Sequence, residues 1–177
     1  MFLEAKVGTE IRNNRGWTPL IMAVFNGHHE ILDLLLHHKP DVNAFDMDGN
    51  TALHWAAFNG HISCAERLIR HHAKMNMQNN SGCTPLMQAA AHNHPDIAGL
   101  LIKSGAALDT TADDGYTAMH QAAAAGYSEI VKLLLAKGAA TKLRAIDGNT
   151  PYTLAVKNKQ AETFRLLMPE PGNTTQH

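Results

Sequence analysis

Gly16, Gly49, Gly82, Gly115 and Gly148 stand 33 residues apart. Thr18, Thr51, Thr84, Thr117 and Thr150 keep the same step, as do Ala23, Ala56, Ala89, Ala122 and Ala155. So do Leu35, Leu68, Leu101, Leu134 and Leu167. Four columns of five identical residues mean that the chain is built by repetition, and periods of roughly 20 to 50 residues are the signature of stacked arrays. One such unit cannot bury its apolar face alone. The period therefore dictates an open stack in which each unit leans on its neighbours, not one closed core.

Each unit reads as two short helices. The glycine supplies a positive φ in a tight turn. The threonine that follows is a good N-cap, and Pro19, Pro85 and Pro151 take the first helical position. Alanines and leucines at helical spacing continue the first helix, as in TPLIMAVFNG and TAMHQAAAAG. Gly27, Gly60 and Gly126 end it, with Asn93 in that place in the third unit. A second amphipathic helix follows, HEILDLLLHH or SEIVKLLLAK. After it, KPDVNAFD or GAALDTTADD reads as an extended, hairpin-like connection.

The stretches GWTPLIMAVFNGHHEILDLLLHHKPDVNA and GYTAMHQAAAAGYSEIVKLLLAKGAA resemble the T-P-L-H-x-A and L-L-x-x-G-A signatures of ankyrin repeats. The resemblance covers residues 13–169 and implies an all-α repeat solenoid of helix-turn-helix units linked by hairpin-like turns. Five units are expected, at about 13–45, 46–78, 79–111, 112–144 and 145–169. Departures from the signature are local. Ile21, Met87 and Thr153 replace the motif histidine, and Lys39 and His72 stand where Gly105 and Gly138 end second helices.

Residues 1–12 fit the phase of a truncated preceding unit or a terminal cap, with Phe2 and Leu3 in register with Leu134 and Leu135. Ile21, Met22 and Val24 read as apolar for an outer face, which hints at more chain upstream. At the other end, Lys157, Asn158, Lys159 and Gln160 give a solvated last unit. Pro169 and Pro171 stop its final helix, and residues 170–177 read as a flexible tail.

Twelve histidines raise the question of metal. A zinc site needs about four converging ligands. The register instead distributes the histidines into repeat columns: His54 and His120 at the family's motif position, His28, His61 and His94 after the inter-helix turn, and His37, His38, His71 and His72 at the ends of second helices. No metal or cofactor is expected. Cys64 shares a column with Ile31, Ile97 and Ile130 and reads as a buried apolar residue, whereas Cys83 reads as exposed at a turn. No phosphate-loop, dinucleotide or hydrolase motif occurs, and the DMDGN and DDGY turns lack calcium-loop spacing, so no enzyme is expected. LHHKPDVN, ending at Asn43, resembles a site modified by asparaginyl hydroxylases, but a turn-closing role is favoured for Asn43.

With 15 Lys plus Arg against 16 Asp plus Glu, the chain lacks the basic field that nucleic acid demands. No apolar run is long enough to insert in a membrane. Two cysteines without CxxC spacing fit a reducing compartment, the cytoplasm or the nucleus. The resemblance implies that turn tips and first helices form a concave binding face. Trp17, Phe25, Phe45 and Phe58 gather in the first two units at columns outside the expected core, with Met47, Asn50 and His92 nearby. Clustered exposed aromatics mark interaction sites. Asp48, Asp113, Asp114 and Asp147, with Tyr116 between them, make the turn tips acidic. The expected partner is another protein, apolar at one end of its contact surface and basic at the other, or another domain of a longer enzyme, channel or secreted effector. The chain alone is expected to be monomeric.

Overall fold

A computed structural model describes residues 8–168. Ten helices pair into five antiparallel hairpins: α1 (Pro19–Phe25) with α2 (His29–His37), α3 (Ala52–Asn59) with α4 (Ile62–Arg70), α5 (Pro85–Ala91) with α6 (Pro95–Lys103), α7 (Ala118–Ala125) with α8 (Ser128–Ala136), and α9 (Pro151–Lys157) with α10 (Ala161–Leu167). Among the described residues no helix is long and apolar enough to cross a membrane.

Local chemistry starts each first helix. Thr18, Thr51, Thr84, Thr117 and Thr150 all take extended backbone and accept a hydrogen bond from the amide three residues on. Two of these caps are reciprocal through histidine, because His54 and His120 reach back to the Thr51 and Thr117 amides. Gly60 and Gly126 end α3 and α7 in the left-handed region, and Asn93 performs the same turn after α5. Lys39 and His72 adopt φ of 53° and 63°, as Gly105 and Gly138 do at 92° and 80° in later units. The side chains at 39 and 72 are thus held in a conformation that glycine takes freely.

Helices of isolated seven- or eight-residue length are unstable in water, so packing must hold them. First helices stack in the order α1, α3, α5, α7, α9 and second helices in the order α2, α4, α6, α8, α10. Ala56, Ala89, Ala122 and Ala155 are fully buried between layers, where a small side chain lets first helices approach closely. Leu68, Leu101 and Leu134 are fully buried in the second row, while Leu35 and Leu167 at the ends keep a little exposure. Ile21 and Val24 do not form the outer face expected of them. They lie one helical turn apart on the side of α1 that enters the core, and Met22 between them is exposed. The outward apolar residues of the first helical hairpin are instead Met22, Ile31 and Leu34.

The connections are hydrogen-bonded turns rather than strands, with a single isolated bridge between Phe45 and Thr51. Each turn closes on itself, as Asp46 N–H does on the Asn50 carbonyl and Asn79 N–H on the Cys83 carbonyl. Successive turns then bond to each other. The amides of Met47, Asn80, Asp113 and Ile146 donate to the carbonyls of Arg15, Asp48, Ser81 and Asp114 at 2.9–3.2 Å. This close approach explains Gly82. Its φ is +73°, and a Cβ there would come within 2.7 Å of the Asp113 amide.

A second ladder runs through one polar column. Glu10, Asn43, Asn76 and Asp109 accept from the amides of Asp41, Lys74, Ala107 and Ala140, each 31 residues on, at 2.8–3.1 Å. Asn43 therefore joins two units rather than merely closing its own turn. Glu10 already obeys the rule, and Arg12 Nη1 donates to the Phe45 carbonyl as Gln78 Nε2 does to that of Thr111. Residues 8–12 thus dock like the tail of a repeat. Phe2, Leu3, Pro169, Pro171 and the tail fall outside the described residues.

Candidate protein-interaction surface

The turn tips and first helices carry a continuous aromatic track. Trp17 lies 4.7 Å from Phe25 and 5.4 Å from Trp55, ring centre to ring centre. Trp55 lies 5.2 Å from Phe25 and 5.5 Å from Phe58, and Phe58 lies 4.1 Å from His92. The track thus crosses three repeats. Its tilted and edge-on arrangements are the ones aromatic quadrupoles favour.

The track is layered in a way the columns did not show. Trp17 is not on the surface. It is only 9% exposed and belongs to the core, and Phe25 is half-buried against it. Burial follows from the neighbouring unit, because Asp46 and Trp55 of the second repeat close over the Trp17 ring. The exposed members are Phe58 at 37%, with Phe45 at 52% and Met47 at 69% beside the track. Trp55 is half-buried and faces the same groove.

Asp46 organises the floor. Its carboxylate is buried, yet every lone pair has work. Oδ1 accepts from the amides of Asp48 and Asn50 at 3.0 and 2.8 Å. Oδ2 accepts from the indole N–H of Trp17 at 3.1 Å and of Trp55 at 2.9 Å. A buried charge is tolerable only when so satisfied. Sequence reasoning passed over Asp46. The available signal was its column, Asn13, Asp46, Asn79, Ala112 and Ala145, in which it alone carries charge.

The rim is acidic. Asp48, Asp113, Asp114 and Asp147 are all exposed at turn tips. Asp147 accepts from the Tyr116 hydroxyl at 2.9 Å and from the Asn149 amide at 2.9 Å, and these bonds lower its pKa, the Asn149 amide most. Burial, reinforced by Asp147, pushes Tyr116 up. Asn50 is half-buried and accepts from Asn79 Nδ2 at 2.8 Å, so its side chain is engaged between turns. His92 is exposed and donates from Nδ1 to the Gln88 carbonyl at 3.0 Å. The chain's own cations take the first tip. Arg15 lies 5.4 Å over the Trp17 ring and Arg12 6.0 Å from that of Phe45. Asn14, Arg15, Trp17, Met47, Asp48 and Trp55 line a groove of about 330 Å³ between the first two tips.

His54, His61, His94 and His120 make scaffold contacts. Nε2 of His61 and of His94 donates to the carbonyls of Phe25 and Phe58 in the preceding unit, capping a first helix from outside. His54 Nε2 donates to the Cys83 carbonyl at 3.0 Å, and His120 Nε2 to the Leu143 carbonyl at 3.1 Å. Burial lowers both pKa values. Cys64 is buried. Cys83 is half-buried rather than exposed at its turn, and burial, with Asp114 and Asp113 adding to it, raises its pKa. Among the described residues no three or more His, Cys, Asp or Glu side chains converge as a metal ion would require.

A family model described as ankyrin repeats (3 copies) matches residues 1–79, 39–112 and 105–176. No curated protein matches the chain.

Proposed function

We propose, from the premise that this chain belongs to the ankyrin-repeat family, that it is a non-catalytic module that binds a partner protein on its concave face. Ankyrin repeats are in general protein-interaction modules. The observation that carries the finer reading is the aromatic track, whose inner rings pack into the core while Phe58 is exposed, Trp55 is half-buried at the groove, and Phe45 and Met47 stand exposed beside it. Rigid aromatic anchors remove large apolar areas from water at little entropic cost, which is how interface hot spots work. The turn ladders hold the anchors in fixed register, so binding needs little ordering. The reading requires no cofactor or metal. Exposed tip aspartates disfavour nucleic acid. A monomer in a reducing compartment, cytoplasm or nucleus, fits two unpaired cysteines.

The test is affinity capture from host lysate with the whole chain and with a Phe45→Ala, Phe58→Ala pair. Both residues are exposed, so the variant should fold, as helical circular dichroism would verify. We expect partners captured by the parent chain to be lost. Equal capture by the folded variant would remove the concave face from consideration. Trp17 is unsuitable for this purpose, because its ring supports the fold.

A second reading, in which the module regulates a larger polypeptide in cis, is favoured by the end of the first unit. There Pro19, Met22, Ala23, Asn26, His28, Ile31 and Leu35 line an apolar groove of about 420 Å³.

A further inference from the structure

Resting on the concave-face reading, the geometry points to one class of occupant. We infer that the groove takes an extended segment of a partner protein that carries an apolar or aromatic anchor and, about six residues along, a lysine or arginine.

Charge placement is the first argument. Among the described residues the ion pairs are Arg67 with Asp33 and Lys132 with Glu162, and both lie on second helices, as does the His29–Glu30 contact. None involves a turn tip. Asp48, Asp113 and Asp114 therefore present carboxylates that no cation of the described chain neutralises. The first tip is different, because Arg12 and Arg15 lie there against Phe45 and Trp17. A partner cation is repelled at that end and attracted at the second to fourth tips. The groove therefore has an electrostatic polarity as well as an apolar one.

Side-chain size is the second argument. At the position of Phe25 and Phe58, the third and fourth units carry Ala91 and Ala124; Ala125 follows in the fourth, and in the third His92 follows and packs 4.1 Å from Phe58 as the far edge of the aromatic half. The first half of the face thus holds ring-sized anchoring surface around Trp55, Phe58 and Met47, and the second half is a shallow trough. A trough of alanines admits a backbone but grips no side chain. Half-buried Gln88 and Gln121 occupy the Trp55 column there and offer amides that pair with an extended backbone. The anchor belongs in the second unit and the thin, basic part of the segment over the third and fourth.

The spacing follows. Packed helix layers are about 8–10 Å apart, so Phe58 and the Asp113–Asp114 tip, two layers on, are separated by roughly 20 Å along the stack. An extended chain rises about 3.3 Å per residue, which gives about six residues. A helix covers the same span only with about thirteen residues and would present its cation by turn rather than by alternation.

The experiment selects random twelve-residue peptides displayed on phage against the whole chain. Enriched peptides are then titrated by calorimetry at low and high salt. The targets are the parent chain, Phe58→Ala, and Asp113→Asn with Asp114→Asn. We expect net-positive peptides with an apolar residue and a lysine or arginine five to seven positions apart. Both variants should weaken them about tenfold, and the aspartate variant should also flatten the salt dependence. Peptides that need Phe58 but lack the basic residue, and ignore the aspartate change, overturn this inference and leave the concave-face reading standing. Peptides that bind the Phe58→Ala chain undiminished, or failure to enrich any binder, overturn both.

Discussion

His54 and His120 show how one residue sets a solution property. Each is buried with Nδ1 accepting from a threonine amide and Nε2 donating to a carbonyl, a pattern only the neutral ring satisfies. Burial holds both pKa values below the ordinary value of about 6.5. The unfolded chain therefore takes up these protons first as pH falls. A group with a depressed folded pKa that must stay neutral contributes full stability above the unfolded pKa and loses it as pH drops toward the folded one. Tm should be level above about pH 7.5 and fall as pH is lowered through the histidine range. His54→Gln and His120→Gln should start lower, because a carbonyl loses its donor at a cost of about 1–3 kcal/mol, and should show a shallower pH slope. Thermal scans across pH decide it; an unchanged slope in the double variant would contradict the account. Asp147 and Glu162, lowered by hydrogen bonds led by the Asn149 amide and the Lys132 ammonium, lose their contribution only in the more acidic carboxylate range.

At the scale of the helix and its turn, the second-helix ends of the first two units are the weak points. His72 follows α4 at φ 63° and Lys39 follows α2 at φ 53°. A side chain in that region costs about 1–2 kcal/mol relative to the right-handed one, and glycine escapes the penalty. Both positions are exposed. His72→Gly should therefore raise Tm by about 2–4 °C per kcal/mol gained, and Lys39→Gly should add to it independently. A fall in Tm for either would contradict the cap argument. These ends were legible in the sequence, as were the threonine caps and the ten helices, because each depends on a few neighbouring residues. Trp17, Ile21 and Val24 were misplaced for the opposite reason. Their burial is made by residues roughly thirty positions away, and a column of equivalent residues says nothing about which face the next layer covers. Asp46 was missed because its role exists only once two indoles from adjacent units converge on it.

Across the whole molecule, stability is passed between neighbours. Every major helix contact joins helices of the same or the adjacent unit, and the turn and Asn43 ladders bridge one junction at a time. Such arrays behave as a sum of unit and interface terms, and a unit with one interface is held less firmly than a unit with two. In the last unit the buried Thr163 hydroxyl finds no hydrogen-bond partner among the described residues. Amides of α9 and α10 should therefore exchange with solvent deuterium before those of α5 and α6. Uniform protection along the array would show that it opens as a single unit instead. The shared carboxylate of Asp46 has one more consequence. It holds both of the chain's tryptophans in one hydrogen-bonded cluster at the groove. Intrinsic ultraviolet emission from this protein is therefore a local signal rather than an average. A guest settling beside Trp55 changes its colour and intensity, and melting of the distant end alone leaves it unchanged.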